Sequence, residues 1–176
     1  KMNYDIIGGQ QTNLYKPFLP LAWEVSKKYG VSAFVHPDGI YDDPKAGELR
    51  KEMYCRLCIH FQFRNELKLF ADVHHSRIYS LNVYKNGKIE IAFDSINNLY
   101  AVDTIEQCYE PSEREVLGIK NDIGGWNTEG HPDRVIHYTE NELKVIANLF
   151  NEKKWSGVQL LTLHTIQFLE MRKILN

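Results

Sequence analysis

A chain of 176 residues is long enough to bury one hydrophobic core without disulfides or metals, and its 43% hydrophobic and 12% aromatic content excludes a disordered chain. Lysine and arginine number 21 against 23 aspartate and glutamate, so the net charge of −2 provides no global field for a polyanion and argues against nucleic acid as a partner. The three cysteines, Cys55, Cys58 and Cys108, are an odd number in a chain too large to need staples, which predicts a reducing, cytoplasmic location. No signal peptide and no apolar run near the ~20 residues of a membrane span is found, so a membrane partner is not expected.

No repeat, low-complexity tract or linker divides the chain, and residues 1–176 read as a single domain. Pro17 and Pro20 ahead of an apolar stretch, with Gly30 after it, punctuate a first helix over 18–29. A short strand over 31–35 follows, then an exposed turn-rich loop through Pro37, Asp38, Gly39, Asp42, Asp43, Pro44 and Gly47.

From Met53 the pattern alternates: Met53, Cys55, Leu57, Ile59, Phe61 and Phe63 fall on one side, and Tyr54, Arg56, Cys58, His60, Gln62 and Arg64 on the other. The same period recurs in Leu67, Leu69, Ala71 and Val73, in Tyr79, Leu81 and Val83, and in Ile89, Ile91 and Phe93. The fold class predicted is α+β: an antiparallel β-meander of four to six strands, centred on 53–94, packed on one face by amphipathic helices. A three-residue Lys85-Asn86-Gly87 loop, with Gly87 left-handed, pairs Val83 with Ile89, Leu81 with Ile91 and Tyr79 with Phe93; likewise Phe63 meets Leu67 and Phe61 meets Leu69. The apolar side is then the core and the opposite side, including His60, Asp72, Asn82 and Glu90, faces outward.

Residues 95–110 read either as a fifth strand through Leu99 to Val102 or as a helix, the strand being preferred. Ser112-x-x-Glu115 has the form of a capping box for a short helix, and a long loop over 118–133 leads to a strand over 134–138. Thr139-x-x-Glu142 caps a helix over 140–153, and Ser156-x-x-Gln159 a last helix, apolar around most of its circumference. These are the two C-terminal helices of the predicted fold.

Cys55-x-x-Cys58 with His60 has half of a zinc spacing, but on a strand the two sulfurs point to opposite faces, so no metal is expected. Asp42-Asp43 reads as a turn rather than a cation site, and Gly8-Gly9 lacks the spacing of a phosphate loop, so no cofactor is expected either. Val73-His74-x-Ser76 and Ile136-His137-x-Thr139 repeat an aliphatic-His-x-Ser/Thr pattern that resembles the paired motifs of 2H phosphoesterases. That resemblance covers eight residues and implies a phosphodiesterase or nuclease in which His74 and His137 act as base and acid beside Ser76 and Thr139. The chain departs from the family pattern in placing Arg77 and Glu140 where an apolar residue should follow.

The loop carrying Trp126, His131, Asp133 and Arg134 combines turn formers with side chains that anchor interfaces, and His131 with Asp133 also has the form of an oriented base. Without a convergent catalytic set, the leading expectation is a non-enzymatic protein-binding protein. An inhibitor or toxin-neutralising immunity protein that occludes a partner protein, such as a toxin or enzyme domain, is the class it fits. Its expected contacts are Arg56, His60, Asp72, Asn82 and Glu90 on the outer sheet face and Trp126, His131, Asp133 and Arg134 in the loop. The phosphodiesterase is the alternative.

Overall fold

In the computed structural model, which describes residues 5–7, 13–87, 90–115, 118–150 and 162–166, a five-stranded mixed sheet is accompanied by four α-helices. In chain order these are α1 (Tyr15–Val25), β1 (Val31–Pro37), α2 (Gly47–Tyr54), β2 (Leu57–Arg64), β3 (Ile78–Lys85), β4 (Ala92–Leu99), α3 (Thr104–Cys108), β5 (Ile136–Thr139) and α4 (Glu140–Leu149). Among the described residues no helix is long and apolar enough to cross a membrane.

The α+β class agrees with the sequence; the meander does not. The spatial order is β1-β3-β2-β4-β5, with β2 and β4 parallel and the other neighbours antiparallel. β3 therefore lies between β1 and β2 and never meets β4, so the expected Leu81–Ile91 and Tyr79–Phe93 pairs are replaced by Leu81 with Phe61 and Tyr79 with Phe63. Gly87 does take a positive φ of 105°, as a turn there requires, while its expected hairpin partner Ile89 lies outside the described residues.

Two further expectations fail for local reasons. Met53 and Tyr54 belong to α2, because with Leu49 and Arg50 they complete the buried stripe of a helix; the alternation that begins there belongs to a strand only from Leu57. The segment from Leu67 to Val73 is not a strand. The buried Asn65 side chain binds the carbonyls of Phe70 and Val73 (2.9 and 2.7 Å) and the Phe70 N–H (3.0 Å), and so satisfies backbone groups that a ladder would otherwise take.

Helix α1 starts ahead of both prolines, Pro17 falling in its first turn, where its missing N–H costs nothing. The helix ends before the expected boundary, because the Ser26 N–H and hydroxyl both return to the Ala22 carbonyl. β4 runs through Ser95 to Leu99 and so stops short of Val102, and after a turn the short α3 takes Thr104–Cys108. Residues 111–115 are not helical; Ser112 accepts from Arg114 N–H in a turn instead of capping. The capping box at Thr139 is present in full and starts α4, where such a cap contributes about 1 kcal/mol. The helix expected from Ser156 lies outside the described residues except for 162–166, which are not helical.

The faces of the sheet are reversed relative to the sequence expectation. The main core gathers Trp23 of α1, Met53 of α2 and Ile146 of α4 against Leu57, Tyr84, Phe93 and Tyr138. By the strand register this is the face that also carries His60, Gln62, Ser80 and Asn82. The apolar set Ile59, Phe61, Phe63, Tyr79 and Leu81 forms a second, smaller cluster on the other face, where Ile105 and Cys108 of α3 join it. A bulge between Leu57 and Ile59 moves Leu57 to the main core, so β2 is buried on both sides.

The loop before β5 is held against α3. Thr104 donates to the Thr128 carbonyl (2.6 Å) and Gly130 N–H to Gln107 Oε1 (2.9 Å). A methyl group added at Gly130 would lie 2.4 Å from Gln107 Cβ, 2.5 Å from Thr104 O and 2.7 Å from Cys108 N, two of which are backbone atoms. Gly130→Ala is therefore expected to destabilise the fold by about 2–3 kcal/mol, read as a fall in the urea midpoint with the slope unchanged. A midpoint within error of the parent would mean that the loop does not dock on α3.

Candidate functional site

At the end of the sheet where β1 stops and β3 begins, a cleft of about 1000 Å³ opens between the 70–78 loop and residues 162–165. Its lining includes Asp38, Tyr41, Gln62, Arg77, Tyr79 and Thr165. The loop read from sequence as exposed supplies Asp38 and Tyr41, and the strand face read as solvated supplies Gln62.

The floor is a hydrogen-bonded layer contributed by four strands. Asp38 Oδ1 accepts from His60 Nε2 at 3.0 Å and Oδ2 from Gln62 Nε2 at 2.7 Å. Burial alone would raise the Asp38 pKa, but His60, Gln62 and Ser80 together hold it below the usual carboxylate value. The carboxylate is thus ionised, so His60 Nε2 carries a proton and its Nδ1 faces the Ser95 hydroxyl at 2.9 Å.

His36 sits beside this group. Its Nδ1–H donates to the Pro37 carbonyl (2.9 Å), so Nε2 is left to accept from Asn82 (3.1 Å), with the Tyr84 hydroxyl 3.4 Å away. Burial disfavours its imidazolium and lowers its pKa, against smaller raising effects of Pro37 and Asp38. Tyr41 donates to Asn82 Oδ1 at 2.5 Å, and Asn82 Nδ2 also reaches Ser80. The 162–166 segment closes over the layer: Gln62 donates to Thr165 (3.0 Å), Leu163 N–H to the Tyr41 carbonyl (3.1 Å) and Asn97 to the Ile166 carbonyl (2.9 Å).

Asp38, His60 and Ser95 have the connectivity of a hydrolase triad but not its orientation. Ser95 is wholly buried, and the carboxylate, not the hydroxyl, borders the cleft. A nucleophile must meet its substrate, so the relay serves to hold Asp38 in place.

The residues expected from sequence are dispersed. His60 and Asn82 are buried, because the face expected to be outer is the one covered by α1, α2 and α4, and Arg134 of the loop is buried as well. The two terminal nitrogens of Arg134 donate to the carbonyls of Glu129, Asn97 and Asn98, bracing a bulge in β4 where Asn98 is left-handed. Arg56 lies over the Trp23 ring and pairs with Glu52, and Trp126 is stacked on Tyr100 with Lys120 against its ring. Asp72 and Glu90 are exposed. His131 accepts from Asp133 N–H at Nδ1 and donates to the Arg114 carbonyl from Nε2, so both ring nitrogens are engaged.

His74 lies in the exposed loop after β2, bonded to the Ser76 hydroxyl, whereas His137 is on β5 at the far edge of the sheet, bonded to Asp94. Ser76 borders the cleft, but neither imidazole does, and the Thr139 hydroxyl is engaged by the cap of α4. Among the described residues no three His, Cys, Asp or Glu side chains gather as a metal site, and all three cysteines are free thiols. The sequence carried one usable sign of the site: polar His60 and Gln62, and polar Ser80 and Asn82, recur at alternate positions of two strands. Their partner Asp38 lay in a segment whose turn formers concealed it.

The buried groups give the acid side of the stability curve. The folded pKa of His36 lies below the unfolded value of ~6.5, so its contribution is complete above that pH and is lost as the pH falls through the folded value; Asp38 acts in the same sense below about pH 4. Unfolding free energy is expected to fall between pH 7 and pH 5, and to fall less in His36→Gln; identical slopes in urea titrations would assign the loss to other groups. The chain matches no family model and no curated protein, so geometry alone bears on its function.

Proposed function

We propose that the chain is a protein-binding module that takes an extended segment of a partner protein along the edge of β1, with the end of that segment entering the adjoining cleft. The observation that carries this reading is the joining of an edge strand to a concavity. β1 is seven residues long, pairs among the described residues only with β3, and presents Val31 and Val35 at 61% and 53% exposure, Val35 also lining the cleft. An edge strand offers a row of backbone donors and acceptors, and natural edges are usually blunted by lysine, proline or a covering element. Here proline stands only at the last position, Pro37, beside the cleft.

A partner strand added to such an edge gains affinity from main-chain hydrogen bonds and specificity from pockets for alternate side chains. An inhibitor or toxin-neutralising protein acting by occlusion works in this way, since holding one segment of the partner covers the surface around it. The phosphodiesterase alternative has less in its favour, because it needs two imidazoles across one substrate and those of His74 and His137 do not border the cleft.

The test is to purify the protein with whatever co-elutes from its native host, then compare Val35→Asp with Ile119→Asp, a change at an exposed position in the loop between α3 and β5. Val35→Asp is expected to weaken the complex at least tenfold, about 1.4 kcal/mol, while leaving the thermal midpoint of the free protein nearly unchanged. Ile119→Asp is expected to do neither. Full affinity in Val35→Asp would remove the edge and cleft from the interface.

A further inference from the structure

We propose that the cleft is a site for a cationic side chain, lysine or arginine, carried by the partner segment, with its ammonium or guanidinium against Asp38 and its alkyl stem along Val35 and Ile78. This rests on the edge-strand reading and adds the chemistry of what enters the cleft.

The floor is built for a donor. A carboxylate has about four lone-pair sites, and His60 and Gln62 occupy two of them, which leaves acceptor capacity on a side chain that is still 12% exposed. Both Gln62 amide hydrogens are used, on Asp38 and Thr165, and His36 is held as a neutral tautomer with its own proton on a carbonyl. The fixed groups facing the cleft thus offer acceptors, and an entering anion would find few donors among them.

The charge has the matching sign. Asp38 has no lysine or arginine within salt-bridge distance among the described residues, and its one ionisable partner there is His60 at 3.0 Å. The nearby Lys16 is committed to Asp43 at 2.8 Å, and Asp42 adds an exposed second carboxylate at the rim. Tyr15, stacked on His36, reports the resulting field: its phenol is pushed up to about 12, first by burial and then by Asp38, Asp43 and Asp42.

Tyr79 also borders the cleft, from the sheet face opposite to Gln62 and Ser80. It lines the cleft at 8% exposure, and its hydroxyl is buried with no hydrogen-bond partner among the described residues. An oxygen so placed is costly unless something donates to or accepts from it. The exposed Arg77 at the mouth is the lining residue of opposite sign. It stands in water, where screening weakens it, whereas Asp38 lies at the enclosed floor, where a charge pair is stronger.

The experiment titrates the whole chain by calorimetry or NMR with acetylated, amidated alternating Thr/Val peptides that carry lysine or arginine at either end. Matching norleucine peptides and N-acetyl-lysine methylamide serve as comparisons. A lysine or arginine peptide is expected to bind about tenfold tighter than its norleucine match at low salt, with the advantage shrinking as salt rises. Asp38→Asn is expected to abolish that advantage and Asp42→Asn to reduce it two- to threefold.

Equal binding of lysine and norleucine peptides overturns the cationic site and leaves the edge-strand reading standing. Binding of the single methylamide as tightly as the peptides supports the cationic site and overturns the edge. No binding by any probe overturns both. If Asp38→Asn does not fold, the lysine-to-norleucine ratio and its salt dependence in the parent protein decide.

Discussion

The structure depends on the accommodation of one ionised carboxylate at the margin of its core. A carboxylate removed from water is tolerated only where donors replace the lost hydration, and Asp38 receives two of them from β2, His60 and Gln62. Those donors in turn need partners, since a buried polar group left unsatisfied costs about 1–3 kcal/mol. Ser95 on β4 meets His60, Asn82 on β3 meets His36 and Tyr41, and Thr165 meets Gln62. The result is one hydrogen-bonded layer that joins β1, β2, β3 and β4 and pins the turn after β1 to the middle of the sheet.

Such a layer specifies register in a way that apolar packing does not. A slip of one residue in β3 would place Leu81 or Val83 where Asn82 stands opposite His60, and several donors would lose their acceptors together. The layer also explains how the sheet can be mixed. β2 lies between β3, its antiparallel neighbour, and β4, its parallel one, and is enclosed on both faces, the usual circumstance of parallel pairing. The bulge at Asn97 and Asn98 in the parallel pair is braced by Arg134, whose terminal nitrogens donate to their carbonyls.

The proposed binding site lies where this layer stops. Around Ser95 it is sealed; around Asp38 it meets the cleft, and next to the cleft runs the open edge of β1. The histidines are engaged in holding structure: His36 and His60 in the layer, His131 in a loop turn, His137 with Asp94. The molecule therefore has a fixed pattern of acceptors and charge beside an exposed strand, the arrangement on which the proposed recognition rests.

Local signals in the sequence were decisive where the physics is local. The strand at β1, the capped helix at Thr139 and the positive φ of Gly87 were all legible, because a β period, a capping box and a turn glycine each act within a few residues. Binary pattern alone could not say which side of the sheet is the core. The face with Ile59, Phe61 and Leu81 is the more apolar in sequence, yet α1, α2 and α4 pack on the face of His60 and Asn82 and only the short α3 on the other. Polar groups can be buried when they satisfy one another, and that mutual satisfaction joins residues as distant as Asp38, Ser95 and Thr165. Strand order was undetermined for the same reason: alternation defines a strand, while its neighbour is chosen by contacts across the whole chain. The candidate site, made where those long-range contacts converge, was a decision of the tertiary structure.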